Sequence, residues 1–182
     1  PFFTSYPIIN KSNALEDAVY NDTIAGDAID PEGDPLIFSL VAGGPAWLTV
    51  AANGILSGMP ENADVGLNSW TMQVSDGTNS PASATLEIMV DNVNDAPVFT
   101  ANPVIGTNGL ENSLYLRSIA GSATDEDAGD TLSYSKISGP AWLNVFANGT
   151  TVGTPGSTNV GLNSWTIEVT DGIADPVSAT LE

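Results

Sequence analysis

The segment GPAWLTVAANGILSGMP, residues 44–60, recurs as GPAWLNVFANGTTVGTP at residues 139–155, and this duplication decides the fold. The two copies are offset by 95 residues. Solenoid repeats have periods of about 20–50 residues, so a period this long is typical of a complete domain repeated in tandem. We therefore expect each copy to fold independently.

The match extends beyond this segment to most of the chain. VGLNSWTMQVSDG (65–77) matches VGLNSWTIEVTDG (160–172), and PASATLE (81–87) matches PVSATLE (176–182). We predict a first repeat at residues 1–95, which includes a linker at 91–95, and a second at 96–182. The second repeat lacks a counterpart of IMVDNVND (88–95), so its last strand is predicted to be truncated.

Short apolar or alternating runs separated by turn residues predict an all-β fold. LIFSLV (36–41), WTMQVS (70–75) and ATLEIMV (84–90) are rich in strand-forming residues, and Asn53-Gly54 and Asn148-Gly149 are typical of hairpin turns. About seven strands in about 95 residues indicate an immunoglobulin-like β-sandwich. The predicted core residues are Trp47, Leu48, Trp70 and Val74, with Trp142, Leu143, Trp165 and Val169 in the second repeat.

Composition excludes several classes of function. The chain has 22 Asp and Glu but only 3 Lys and Arg, for a net charge of −19, which disfavours nucleic acids and anionic membranes. No apolar run is long enough to predict membrane insertion. Because Cys and His are absent, thiol catalysis and soft-metal sites are excluded, and any metal must be held by oxygen.

Many acidic residues cluster at equivalent turns of the two repeats. DPEGD (30–34) corresponds to DEDAGD (125–130), Asp76 corresponds to Asp171, and DNVNDAP (91–97) joins the repeats. Crowded carboxylates repel one another, and Ca²⁺, which takes six to eight oxygen ligands, offsets that repulsion. The loops lack the glutamate that ends an EF-hand loop. The alternative is that these are solvated turns without a metal.

These motifs together resemble tandem cadherin-like repeats of the bacterial and dystroglycan type. The resemblance rests on LED or LEN, DPEGDPLIFS or DEDAGDTLSYS, VSDG or VTDG, and DNVNDAPVF, and it covers essentially the whole chain. It implies Greek-key β-sandwiches of cadherin type, joined by a short calcium-binding linker. The ligands that it implies are Glu16, Asp91, Asn94, Asp95, Asp125, Asp127 and Asp171. Asp30, Glu32 and Asp76 would serve a preceding linker, and Glu111 a following one.

The linker departs from the cadherin pattern in two places. Val93 stands where an Asn side chain would coordinate the metal, and Asn94 replaces the Asp that usually bridges two ions. We therefore expect one or two calcium ions rather than three, with affinity of roughly 10⁻⁴–10⁻³ M, as in other extracellular modules.

The predicted function is non-enzymatic: calcium-dependent adhesion, or a calcium-stiffened spacer, in a secreted or cell-surface protein. Expected partners are other cadherin-like domains, of the same or another protein, or extracellular polysaccharide. The alternative is a carbohydrate-binding module, for which Phe2, Phe3, Tyr6 and Phe146 are candidate exposed aromatic residues. A glycosidase is disfavoured, because its two carboxylates would have to flank one bond, whereas these acids recur in the turns of both repeats.

Overall fold

The computed structural model describes residues 1–182, apart from the side chain of Ala42. The chain divides into two compact units, Pro1–Val93 (unit 1) and Asn94–Glu182 (unit 2). The regular secondary structure of both units consists of β-strands and one short 3₁₀ helix each. Among the described residues, no helix has the length and apolar character needed to cross a membrane.

Unit 1 contains nine strands and one short 3₁₀ helix, Asn62–Asp64. The strands are β1 (Phe2–Phe3), β2 (Ala14–Leu15), β3 (Tyr20–Thr23), β4 (Ala28–Ile29), β5 (Ile37–Ala42), β6 (Leu48–Val50), β7 (Ile55–Gly58), β8 (Gly66–Ser75) and β9 (Ala82–Asp91). One sheet has the order β2-β9-β8-β5 and the other β3-β7-β6, while β1 pairs with β4. All pairs are antiparallel except β2 with β9, which is parallel.

The alternation of side chains along β8 explains the core of unit 1. Trp70, Met72 and Val74 are buried at every second position, because successive side chains in a strand point to opposite faces. Leu48 and Leu56, from the other sheet, belong to the same cluster of buried residues. The core therefore lies between two sheets, as in a β-sandwich.

Unit 2 repeats this plan with eight strands and one 3₁₀ helix, Ser157–Asn159. The strands are β10 (Val98–Phe99), β11 (Tyr115–Ser118), β12 (Ala123–Thr124), β13 (Ser133–Ser138), β14 (Leu143–Val145), β15 (Thr150–Gly153), β16 (Trp165–Thr170) and β17 (Val177–Leu181). The two three-stranded sheets are β13-β16-β17 and β11-β15-β14, and β10 pairs with β12. The prediction of two tandem immunoglobulin-like sandwiches is confirmed.

The two Asn-Gly pairs form the predicted hairpins. In unit 1 the loop between β6 and β7 is closed by the Ala51 N–H, which donates to the Ile55 carbonyl at 2.8 Å. Gly54 has φ of 86°, a conformation that glycine adopts without a steric penalty. The equivalent Gly149, at φ of 77°, closes the hairpin between β14 and β15.

The two tryptophans of each unit are held by the same contacts. In unit 1 the Trp47 and Trp70 rings meet edge to face, with centroids 5.2 Å apart, and Trp70 Nε1 donates to the Pro45 carbonyl. In unit 2 Trp142 and Trp165 are arranged in the same way, also at 5.2 Å. Trp70 and Trp165 are buried, whereas Trp47 and Trp142 are partly buried against the core. The predicted core positions are thus confirmed.

Two details of the sequence interpretation were wrong. Phe3 is half-buried and packs against Phe38, with ring centroids 6.4 Å apart, because the short β1–β4 pair brings it onto the core. Strand β8 begins at Gly66, earlier than Trp70, because its first residues pair with the end of β9. The described part of unit 2 has no such partner for residues 161–164, and β16 begins at Trp165.

Candidate metal centres

The acidic loop after β12 gathers three carboxylates in unit 2. Asp125, Asp127 and Asp130 each offer one oxygen, and these oxygens lie within 4.8 Å of one another. The loop is folded on itself, because the Asp127 N–H donates to Asp125 Oδ1 at 3.0 Å. Asp127 is buried, Asp125 is half-buried and Asp130 is exposed. The local turn therefore places several negative charges around one point.

Asp171, at the end of β16, is fixed as a hydrogen-bond acceptor. Asn94 Nδ2 donates to its Oδ2 at 2.8 Å, and the N–H groups of Ile173 and Ala174 donate to Oδ1 at 2.8 and 3.0 Å. These bonds, with that from Asn94 the strongest contributor, hold the pKa of Asp171 below its ordinary value. These hydrogen bonds therefore favour the ionised form of the carboxylate.

The linker residues Asn94 and Asp95 belong to unit 2. The Asp95 N–H donates to Asp127 Oδ2 at 2.7 Å, alongside the bond from Asn94 to Asp171. The division between units falls before Asn94, whereas the sequence interpretation placed both residues in the first repeat. Their hydrogen bonds explain the difference, since each residue orients one of the acidic side chains of unit 2.

The electrostatics of this cluster favour a bound cation. Burial, followed by the nearby charges of Asp127, Asp125 and Asp171, raises the pKa of Asp130. In addition, Asp125 Oδ2 is buried and has no hydrogen-bond partner. A buried carboxylate oxygen without a partner is costly, and a positive charge is the usual compensation.

The basic side chains of unit 2 are committed elsewhere. Residues 94–182 contain only two of them, Arg117 and Lys136. Lys136 Nζ donates to the Leu143 carbonyl at 2.6 Å, and Arg117 Nε donates to Thr107 Oγ1 at 2.9 Å. Both side chains thus have hydrogen-bond partners outside the acidic loop. The donors are all oxygens, which suits Ca²⁺ better than zinc or copper.

Unit 1 places Glu16 beside Asp91 through the β2–β9 pairing, in which Leu15 is opposite Asp91. Glu16 is only 1% exposed. Its Oε1 accepts the Val93 N–H at 2.8 Å, but its Oε2 is buried without a hydrogen-bond partner. Asp91 is exposed, and Asn13 Nδ2 donates to its two oxygens at 3.0 and 3.2 Å. Glu16 thus carries a second uncompensated carboxylate oxygen.

A similar cluster of acids in unit 1 comprises Asp30, Glu32 and Asp76, with ligand oxygens within 4.8 Å of one another. The nitrogen of Pro1 lies 3.2 Å from Asp30 Oδ2 and 3.8 Å from Asp76 Oδ2. Hydrogen bonds led by that from Asn79 Nδ2 lower the pKa of Asp76. In unit 2 the repeat position of Asn79 is Ala174, and Asn94 supplies the amide instead.

Five of the predicted ligands lie in unit 2: Asn94, Asp95, Asp125, Asp127 and Asp171. The other two, Glu16 and Asp91, lie in unit 1, and their participation in the same site stays a prediction. Two functional candidates were missed. Asp130 is visible in the DEDAGD motif, whereas Asn13 gives no signal in the sequence. Val93 contributes a backbone N–H to Glu16 rather than a metal ligand.

Each unit matches a family of immunoglobulin-like domains. Residues 5–89 match the bacterial Ig domain family, and residues 96–182 match the putative Ig domain family. Among curated proteins, none matches the sequence significantly.

The solved structures similar to the chain are of two kinds. An endo-fucoidan hydrolase from glycoside hydrolase family 107, MfFcnA4, is 31% identical over 98% of this chain and 27% of its own, with a TM-score of 0.50. Two cadherin structures show the fold. The protocadherin gammaB4 extracellular domain is 18% identical over 100% of this chain and 34% of its own, with a TM-score of 0.64. Human protocadherin-24 EC1-2 is 19% identical over 97% of this chain and 93% of its own, with a TM-score of 0.61.

The chain spans only about a quarter of the length of the fucoidan hydrolases. The family matches cover one unit each, and the cadherin structures share the arrangement of strands. The chain therefore consists of two tandem immunoglobulin-like domains with the fold of cadherin repeats.

Proposed function

We propose that the chain is a non-enzymatic, calcium-binding tandem module of an extracellular protein, which acts in calcium-dependent adhesion or as a calcium-stiffened spacer. One observation carries the calcium assignment: Asp125 Oδ2 is buried without a partner inside a cluster of carboxylates. A solvated acidic turn would expose that oxygen to water, whereas an oxygen already turned inward is oriented to bind an ion without rearrangement.

The donor types also support calcium. Unit 2 supplies carboxylate oxygens from Asp125, Asp127 and Asp130, and the lowered pKa of Asp171 nearby favours its ionised form. Ca²⁺ accepts such ligands in irregular numbers and geometries, whereas Mg²⁺ requires near-ideal octahedral coordination and keeps more water.

The acids are arranged as acceptors rather than as catalysts. Asp76 and Asp171 occupy equivalent turns, and each accepts two backbone N–H groups and one side-chain amide. Both have lowered pKa values, so neither suits the role of the carboxylic acid that protonates the substrate of a glycosidase, while Asp130, whose pKa is raised, lies within the carboxylate cluster. This supports a binding role for the acidic turns.

The test is calorimetric titration of the whole chain with Ca²⁺, comparing Asp125→Asn with Glu126→Gln. Asn keeps the oxygen that accepts the Asp127 N–H, so the turn should survive while one ligand charge is lost. Glu126 is exposed in the same loop, and its substitution removes the same charge. We expect Asp125→Asn to weaken calcium binding at least about 10-fold, because ligand charge sets affinity at such sites. Glu126→Gln should change it less than about 2-fold.

Equal effects of the two substitutions would show that calcium only screens surface charge. Absence of any binding heat or melting shift would refute the calcium proposal.

Sedimentation with and without calcium then separates adhesion from a spacer role. Adhesion through copies of this chain predicts calcium-dependent self-association, and a spacer predicts a monomer in both conditions.

A second candidate is attachment to polysaccharide, which the 31% identity to a fucoidan hydrolase favours. The repeated tryptophans are core residues, but Phe2, Tyr6 and Phe146 have exposed side chains that could stack on sugar rings. Retention on polysaccharide gels, including fucoidan, tests this role. Loss of retention in Tyr6→Ala would support it, and unretarded migration of the unmodified chain would exclude it for those glycans.

A further inference from the structure

Unit 2 has a pocket of about 280 Å³ beside β11, which we call the Arg117 pocket. It is lined by residues 104–107 and by residues between Tyr115 and Ser122, and no residue of β17 lines it. None of the lining residues is acidic. The side chains that can bind a polar ligand are the guanidinium group of Arg117 and the hydroxyl groups of Thr107, Ser118 and Ser122.

Arg117 is the one arginine of the chain, and it has no carboxylate partner. The ion pairs of the described residues all belong to unit 1. The guanidinium carbon of Arg117 lies 5.5 Å from the centre of the Tyr115 ring, while Nε donates to Thr107 Oγ1 at 2.9 Å and one Nη to the Leu116 carbonyl at 2.7 Å. In a sequence with 22 acidic and 3 basic residues, an arginine that pairs with no acid is an exception.

Unit 1 holds a different cation, Lys11, at the equivalent place. Lys11 Nζ donates to the Thr23 carbonyl at 2.7 Å and lies 2.7 Å from Asp27 Oδ2. Asn10 Nδ2 donates to the other carboxylate oxygen of Asp27 at 3.0 Å. The side chains of Lys11 and Asp27 are both only 8% exposed. Unit 1 thus contains both the cation and the carboxylate that neutralises it.

The repeat positions show what replaces this ion pair in unit 2. The offset of 95 residues aligns three pairs of positions: Asp22 with Arg117, Thr23 with Ser118, and Asp27 with Ser122. Lys11 has no basic counterpart, since residues 105–108 are Ile, Gly, Thr and Asn. One positive and two negative charges in unit 1 therefore become a single positive charge in unit 2. The cation is kept, but the carboxylate that balances it is absent.

The donors at the pocket suit an oxyanion. A guanidinium group can bind two oxygens of a carboxylate or sulfate group at once. Thr107 Oγ1 accepts the bond from Arg117 Nε, and Ser118 Oγ accepts the Ala120 N–H at 3.2 Å. Because both hydroxyl oxygens act as acceptors in these bonds, their protons are available to a ligand.

The size of the pocket limits what it can enclose. Sites that surround a whole small molecule have volumes of roughly 300–1,000 Å³, and the Arg117 pocket has about 280 Å³. It therefore fits one charged group of a ligand whose remainder stays in solvent.

We propose that the Arg117 pocket binds a sulfate or carboxylate group of an acidic polysaccharide. Arg117 supplies the positive charge, and Thr107 and Ser118 supply hydroxyl donors. The bound oxyanion takes the place that the Asp27 carboxylate has in unit 1. The choice of a polysaccharide rests on the polysaccharide attachment proposed above. At physiological ionic strength the Debye length is about 8 Å, so acids farther than this from the pocket repel the ligand only weakly.

The experiment follows the Nε–H signal of Arg117 by NMR while the whole chain, in the presence of chelator, is titrated with oligosaccharides. Since the chain has one arginine, this signal is unambiguous. The probes are a sulfated tetrasaccharide, its desulfated form, and an oligogalacturonate. We expect a saturable shift with at least one of the two acidic sugars and none with the desulfated form, because only a charged acceptor binds the guanidinium group strongly. The acidic sugar that binds more tightly identifies the group, and sodium chloride at matched ionic strength should cause no such shift.

Variants test whether the pocket itself binds the acidic sugar, with binding followed by the backbone amide signals of Thr107 and Ser118. Arg117→Gln should weaken binding at least about 10-fold through loss of the charge-assisted hydrogen bonds. Ser122→Asp should weaken it similarly, because it restores the carboxylate of unit 1, whereas the uncharged Ser122→Asn should stay within about 3-fold. Lys136→Gln removes the other positive side chain of unit 2, which does not line the pocket, and should change binding less than about 2-fold.

Absence of an Arg117 shift with both acidic sugars would overturn the proposal, as would equal binding by the unmodified chain and Arg117→Gln. Equal shifts with the desulfated sugar would show that charge plays no part. Tighter binding of a tetraglutamate peptide than of either sugar would reassign the pocket to a protein partner.

The pocket can fail separately from both proposed functions. Chelator is present throughout, so no outcome depends on calcium. Retention on an acidic polysaccharide gel that survives Arg117→Gln would overturn the role of the pocket and leave polysaccharide attachment in place.

Discussion

Replacing Ile167 by Ala should destabilise unit 2 alone by about 3 kcal/mol. Ile167 lies in β16, is 0% exposed and belongs to the core cluster of that unit. The substitution removes three carbon atoms, worth roughly 0.8 kcal/mol each by transfer, and the remaining cavity adds to the loss. For a domain of this size, each kcal/mol corresponds to about 4–8 °C, so the expected fall in melting temperature is about 12–24 °C.

The matched control is Ile173→Ala, the same chemical change at a position that is 71% exposed. A surface substitution of this kind should change stability by less than about 0.5 kcal/mol. Differential scanning calorimetry of the whole chain should resolve two transitions, of which only one moves in Ile167→Ala.

Two results would refute this reasoning. Similar melting temperatures for the two variants would show that Ile167 is not in a packed core. An equal shift of both transitions in Ile167→Ala would show that the units do not unfold separately, contrary to their division into two compact bodies.

Three further substitutions and the addition of calcium should each change stability or the pKa of a side chain. Gly153→Ala should cost about 1–3 kcal/mol by chemical denaturation, because its Cβ would collide with the Trp142 carbonyl, whereas Gly121→Ala, with open space around it, should be neutral or slightly stabilising. Burial raises the pKa of Tyr20 to about 12. Since the unfolded phenol ionises near pH 10, stability present below that pH should be lost between about pH 10 and 12, and Tyr20→Phe should remove that loss in denaturation measured against pH. Asn94→Ala should raise the pKa of Asp171, measured by carboxyl NMR, since the Asn94 amide is the main cause of its depression. Calcium at about 100 times its Kd should stabilise unit 2 by about 2.7 kcal/mol, and chelator should reverse this in calorimetric melts.

The sequence was sufficient to predict the fold because the residues that define it are local and duplicated. The Trp47 segment and the Asn53-Gly54 turn recur with the same spacing, and the structure gives both copies the same hairpin and ring contacts. Strand ends were less predictable, because they depend on partners distant in sequence. Gly66 is in a strand only because Val90 lies opposite it.

The sequence indicated the types of residue in the candidate site more fully than their arrangement in space. Clustered aspartates at equivalent turns indicated Asp125, Asp127 and Asp171 as candidate ligands, and their role stays a prediction. Hydrogen-bond donors that orient these acids are not encoded by a charge pattern, so the role of Asn94 toward Asp171 was visible only in three dimensions. The inward turn of Asp125 Oδ2 is also a property of the folded loop.

The position of Asn94 and Asp95 in unit 2 has a consequence for how such repeats can be exchanged between proteins. A recombination event that joins segments after Asp95 would give the acidic loops of unit 2 new donors in place of the Asn94 amide and the Asp95 N–H. Joining before Asn94 would transfer the loops with the residues that orient them. A repeat that is inherited through such shuffling is therefore expected to begin in the linker, ahead of its first strand. Sequence comparisons that trace its ancestry should include Asn94 and Asp95.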